Sequence, residues 1–217
     1  MNDYEISIKI ADIEYQKLAN VLSKIHVIID SGHGWLTEGK RSIDGTFREN
    51  EFNSAVEDKL GLLLDTIGFT YDMLAPEWDE VSLPTRATRE HTIFNDNVGK
   101  KFTLGISIHC DAYENSDANG FTIFHNFNSA MGKQFAGHVH TQISKEFTSN
   151  KVKIRSRGVK PEKFYILKET KSPFLLIECG FMSNENDLSY IITDKYRNIM
   201  AKAILKGIIS FVINLDN

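Results

Sequence analysis

Apolar positions along the chain recur with two different periods, and the changes between them fall at polar residues. Three short runs are almost continuously apolar: His26 to Ile29, Thr103 to Ile108 and Phe174 to Ile177. Each passes straight into a polar residue followed by Ser or Cys. Runs this short, apolar on both faces, predict buried strands of a mostly parallel sheet. Between them the apolar spacing lengthens to that of helices, over Glu51 to Thr66, Thr85 to Asn97, Ser129 to Thr148 and about Lys195 to Ile213. In the last stretch Ile199, Met200, Ala203, Ile204, Ile208 and Ile209 mark one face. Strands alternating with helices predict an α/β fold, a single-domain three-layer helix/sheet/helix sandwich. Ahead of the first strand, Ile13, Leu18, Val21, Leu22 and Ile25 share one helical face from Asp12 onward. Residues 1–25 therefore read as a helical extension and residues 26–217 as one domain. No repeat and no Pro-rich or Gly/Ser-rich linker divides that domain, and the four prolines are scattered.

In sheets of this kind ligands gather beyond the carboxyl ends of the strands, where the polar residues fall. The first strand ends in Asp30-Ser31-Gly32-His33-Gly34, a histidine between two glycines that let the backbone turn sharply and leave the imidazole open. A second histidine, His109, closes the strand Gly105-Ile106-Ser107-Ile108. Two histidines at the ends of neighbouring strands can meet at one point, and zinc suits such a point. A catalytic zinc takes three protein ligands and keeps a position open, so a third ligand is needed. Glu49 and Glu51, at the start of the helix after the first strand, are the candidates, and spacing does not choose between them. Taken singly, a histidine ending a strand is more often a hydrogen-bonded structural residue than a ligand. These ligands are also far apart in sequence, unlike the compact His-Glu-x-x-His motif.

Length and composition narrow the rest. A chain of 217 residues buries roughly 70% of the surface it exposes unfolded, enough for a core without staples. The two cysteines, Cys110 and Cys179, sit inside apolar runs, so a structural disulfide is not expected and a reducing birthplace fits. The net charge of -4 is spread evenly, which argues against nucleic acid. Asp3 and Glu5 stand where a secretory signal would be basic, and no apolar run is long enough to span a bilayer. The expectation is a chain made in the cytoplasm without a signal peptide, with no membrane insertion.

Several segments, in order, resemble the zinc-dependent N-acetylmuramoyl-L-alanine amidases of the amidase-3 type, from about residue 26 to the C-terminus. Val27 to Gly34 is similar to the family's opening strand, whose histidine is a zinc ligand. Phe47-Arg48-Glu49-Asn50-Glu51-Phe52-Asn53 is similar to the segment that supplies the glutamate ligand, and that register selects Glu49. Ser107-Ile108-His109-Cys110-Asp111-Ala112 resembles the stretch holding the second histidine ligand, and Gly120 to Phe124 the strand after it. Arg157 to Lys160, Phe164 to Leu167 and Pro173 to Asn184 resemble the closing block, whose glutamate, here Glu178, is catalytic. The likeness departs at Cys110 and Cys179, where small or apolar residues are expected, in the looser Arg86 to Asn95 segment, and in residues 1–25, which have no counterpart.

What the resemblance implies is a zinc ion held by His33, Glu49 and His109, with Glu178 moving a proton from water to the departing amine. The bond is the amide joining N-acetylmuramic acid to L-alanine in peptidoglycan. A wall enzyme without a leader acts after release, as a phage endolysin does or when a mother cell lyses, and the phage reading is favoured. The rival readings are another zinc peptidase or deacylase, and a non-catalytic wall-binding or regulatory module on the same fold. The loop Trp35 to Phe47 is a candidate wall of the substrate groove. Cys110 and Cys179 are expected to be buried and inert on the sheet's other face. His138 and His140, two apart on a helix, are expected at the surface, and Arg86 and Arg89 in helix-surface pairs. His125, Asn126 and Arg157 are lesser candidates for the groove.

Overall fold

The computed structural model describes Gln16 and residues 19–215. Six strands form one sheet, β1 (Ile25–Ser31), β2 (Thr70–Met73), β3 (Phe102–Asp111), β4 (Phe121–Asn126), β5 (Ser156–Glu162) and β6 (Phe174–Phe181). Their spatial order is β2-β1-β3-β6-β4-β5. The first four of these positions are parallel, β4 runs antiparallel to β6, and β5 is parallel to β4. The helices are α1 (Glu49–Ile67), α2 (Leu83–Asn97), α3 (Ala130–Asn150), α4 (Tyr165–Glu169), α5 (Glu185–Ile191) and α6 (Asp194–Val212). The expected sandwich is therefore present, with the last two strands in space reversed. Of the helix expected from Asp12, Ile13 and Leu18 lie outside the described residues; residues 19–22 are helical and Leu22 is buried in the core.

Side-chain alternation divides the strands between two cores. Val27 and Ile29 of β1, Leu104, Ile106, Ile108 and Cys110 of β3, and Leu175, Ile177 and Cys179 of β6 point into the larger core, together with α1, α3 and α6. Every residue of β1 is buried, as a strand covered by helices on both faces requires. On the opposite face Ile28, Phe174 and Leu176 pack with Leu74, Ile166 and Leu167 beneath α2 and α4. That second core is smaller, and it stops short of the strand ends. Beyond Leu176 the same face carries Glu178, beyond Ile28 it carries Asp30, and on β3 it carries Ser107 and His109. The pleat that hides Cys110 and Cys179 thus turns the polar residue before each of them toward an opening the helices leave uncovered.

Candidate metal centre

Two features of backbone bring His33 to the opening. After β1 the Gly32 N–H donates to the Ile108 carbonyl at 3.0 Å, tying the turn to β3. His33 itself has φ of 61°, a left-handed conformation that costs a residue with a side chain about 1–3 kcal/mol and persists where the surroundings enforce it. Here the enforcement comes from α1, whose Asn50 and Asn53 amides donate to the His33 and Gly32 carbonyls at 2.8 and 2.9 Å. Gly32 is needed for space: a Cβ there would stand 2.1 Å from the His109 ring.

Glu49 opens α1, held by its N–H to the Lys40 carbonyl at 3.0 Å. Its carboxylate is 2% exposed. Oε1 accepts from the Cys110 backbone N–H at 3.2 Å and lies 3.0 Å from His109 Nδ1, and Oε2 lies 3.7 Å from His33 Nε2. One ligand atom from each of His33, Glu49 and His109 falls within 4.8 Å of the others. Among the described residues this is the one such group of His, Cys, Asp or Glu. Glu51, the alternative that spacing left open, points elsewhere and pairs with Arg197 at 2.9 Å.

Glu178 stands directly across from His109 in the β3–β6 register and lines the same cleft. Its Oε2 is buried with no hydrogen-bond partner. Burial lifts its carboxyl to about 8; His109 opposes that rise, while Glu49 and Asp111 add to it. Burial works against the charge on Glu49 too, but the His109 hydrogen bond and the nearby imidazoles hold its pKa below the ordinary value. His109 shows the reciprocal effect: burial lowers it, and Glu49 more than restores it, leaving it raised. Burial lowers His33 despite Glu49. The cleft, about 530 Å³, is walled on its far side by Leu83, Phe164 and Tyr165, and the Trp35 to Phe47 loop contributes Thr37 and Lys40.

These side chains are an ion site beside a carboxyl group that keeps its proton near neutral pH. The family Amidase_3, N-acetylmuramoyl-L-alanine amidase, matches residues 27–210. The chain belongs to this amidase family. A probable cell wall amidase of Staphylococcus aureus, LytH, is 29% identical over 196 residues, which is 88% of this chain and 60% of its own length. The chain thus spans about three fifths of the curated relatives it matches. The crystal structure of N-acetylmuramoyl-L-alanine amidase from Clostridium difficile 630 is 27% identical with a TM-score of 0.74, covering 89% of this chain and 99% of that one. The catalytic domain of CwlV, from Bacillus (Paenibacillus) polymyxa var. colistinus, has a TM-score of 0.75 at 23% identity over 87% of this chain and 98% of its own, and shares the fold.

The remaining candidates of this amidase-family chain sort by burial. Cys110 and Cys179 are unpaired and buried in the larger core, and burial pushes both thiols well up. His138 and His140 are half-buried rather than at the surface, each bonded to a serine, Ser210 and Ser156. His125 is buried with Nδ1 bonded to the Asn126 carbonyl, and Arg157 braces a turn through the Asn119 carbonyl, so neither lines the cleft. Asn126 bonds the Leu167 carbonyl. Arg89 makes the exposed pair expected of it, with Glu77. Arg86 does not: it is 2% exposed and pairs with Asp30 at 2.5 Å, because α2 lays it across the end of β1 rather than toward solvent. Asp30, Glu80, Arg86 and Ser107 are cleft residues that sequence reasoning passed over. Among the described residues no helix is long and apolar enough to cross a membrane.

Proposed function

We propose that the chain hydrolyses the amide between N-acetylmuramic acid and L-alanine in peptidoglycan, with a zinc ion held by His33, Glu49 and His109 and with Glu178 as the proton carrier. The observation that carries the reading is the arrangement of two imidazoles and one carboxylate within 4.8 Å beside a buried carboxyl oxygen that has no partner. Two histidines and a glutamate are a donor set of the catalytic zinc type, and they leave a position for a reacting group. Glu178 Oε2 is the atom that such a group would satisfy.

Bound there, zinc supplies Lewis-acid chemistry, polarising a carbonyl oxygen and acidifying water. The remaining work falls to the chain. Glu178 takes a proton from the attacking water and delivers it to the nitrogen of the departing L-alanine, without which an amine is a poor leaving group. Its burial suits the task, since a carboxyl that releases its proton near neutral pH is a better acid than one near 4. The strand-end cleft accepts the muramoyl–peptide junction, with Leu83, Phe164 and Tyr165, each at least 40% exposed, against the apolar parts of the substrate.

Purified peptidoglycan distinguishes this from the rival hydrolases. The amidase reading expects newly freed L-alanine amino groups while the far end of the stem peptide stays intact. Release of terminal stem residues without free L-alanine would instead assign a carboxypeptidase. A non-catalytic module would lack a ligand or the proton carrier, and all four residues are present.

A further inference from the structure

Arg86 is the bulkiest of the fully buried side chains among the described residues. A guanidinium out of water is costly unless its donors are met, and here each nitrogen is. Nε donates to the Val81 carbonyl at 2.9 Å, and Nη1 to Asp30 Oδ1 at 2.5 Å and to the Ser31 carbonyl at 2.6 Å. Nη2 donates to Glu80 Oε1 at 3.3 Å. The two carboxylates lead onward in different directions. Asp30 Oδ2 accepts the Ser107 hydroxyl at 2.6 Å, and because that hydroxyl gives its proton to Asp30, its oxygen accepts from His109 Nε2, 3.1 Å away. Glu80 Oε2 accepts from the Gly34 N–H at 2.9 Å and from the Thr37 hydroxyl, and it lies 3.5 Å from His33 Nδ1. Both arms end on the ring nitrogen opposite the one turned toward Glu49.

We propose that Arg86 is a positioning residue shared by both histidines of the metal centre, acting on His109 through Asp30 and Ser107 and on His33 through Glu80. The proposal rests on the zinc reading above. A proton fixed on Nε2 of His109 leaves Nδ1 as its only lone pair for an ion, and a carboxylate behind the serine makes that nitrogen a stronger donor. Glu80 does the same for His33 from the rim. The Arg86 charge holds the two carboxylates ionised and apart beside Glu49, where three negative groups would otherwise repel. One buried residue on α2 thereby sets the ring orientation of ligands from two separate strands.

The test compares zinc affinity by chelator competition, the visible spectrum of the cobalt-substituted protein, and melting of the metal-free chain. The variants are Ser107→Ala, Glu80→Gln, Arg86→Lys and Arg86→Lys with Ser107→Ala. Cutting either arm is expected to weaken zinc by about 10- to 100-fold and to shift the cobalt bands, while metal-free melting stays within a few degrees of the parent. Arg86→Lys should weaken zinc at least as much as either arm. Adding Ser107→Ala to it should then cost less than Ser107→Ala costs alone, because that arm is already slack. If Arg86→Lys fails to fold, the two single-arm variants decide the matter. Parent-like zinc affinity and cobalt spectra in both of them overturn the proposal, as does an Arg86→Lys protein that loses only metal-free stability. A parent that takes up no zinc overturns the metal reading itself, and the positioning role with it.

Discussion

Replacing Gly32 by alanine tests the site through a single methyl group. The added Cβ would stand 2.1 Å from His109 Cε1, 2.4 Å from Nδ1 and 2.5 Å from Nε2, whereas ordinary contact begins at 3.4 Å. The ring must therefore retreat by about 1.3 Å, the difference between 3.4 and 2.1 Å. It cannot do so freely, since Nδ1 and Nε2 are both engaged, by Glu49 and by Ser107. Overpacking of this kind costs about 1–3 kcal/mol, or about 2–12 °C of melting temperature in a chain this size. Function should suffer far more, because a displacement of about 1 Å in a reacting constellation costs about 100-fold. The assay is amino-group release from peptidoglycan beside bound zinc, with Gly137→Ala as control, a helical glycine whose Cβ would meet nothing within 4 Å. Gly32→Ala is expected to retain its fold, lose at least about 100-fold in activity and bind zinc more weakly; Gly137→Ala should match the parent. A Gly32→Ala protein with parental zinc affinity and activity would refute the placement of His109 in the centre.

Two further outcomes follow from burial. Glu57, two turns beyond Glu49 on α1, is 3% exposed with Oε1 unpartnered, and burial lifts its carboxyl to about 8, with Asp30 and Asp58 adding to the rise. The folded chain therefore keeps a proton that the unfolded chain releases near 4.5, so this group lowers stability as pH rises from about 4.5 to about 8. Glu57→Gln should raise the melting temperature of the metal-free protein at pH 8 and leave it unchanged at pH 4; equal melting at pH 8 would contradict the burial argument. Cys110 and Cys179, both at most 1% exposed with pKa values pushed well up, should resist thiol reagents in the folded protein and react in denaturant. Labelling of either at native-like rates would show that the larger core opens.

The parts of the fold that announce themselves in the sequence are those buried on both faces. β1, β3 and β6 lie in the middle of the sheet and read as apolar runs, and α1, α2, α3 and α6 carry apolar faces long enough to count. The two edge strands are different. β2, Thr-Tyr-Asp-Met, alternates between exposed and half-buried positions, and β5 contains Gly158 and Pro161, which an edge tolerates and a central strand does not. The four residues of the proposed centre were legible because each ends a strand or opens a helix in a familiar order. The network behind them was not. An arginine on a helix with alternating charges reads as solvated, and only the fold shows Asp30 arriving 56 residues away to take its charge. The choice between Glu49 and Glu51 was likewise a matter of packing: two residues apart on α1, they face in different directions, one at 2% and the other at 41% side-chain exposure.

The account's central claim is that His33, Glu49 and His109 hold a zinc ion while Glu178 handles the proton. The most direct measurement is metal content and peptidoglycan hydrolysis for the parent, Glu178→Gln and His109→Ala side by side. The account predicts about one zinc per chain in the parent, zinc retained without activity in Glu178→Gln, and zinc lost together with activity in His109→Ala. A parent without zinc, or a Glu178→Gln protein that digests peptidoglycan at the parental rate, would contradict it.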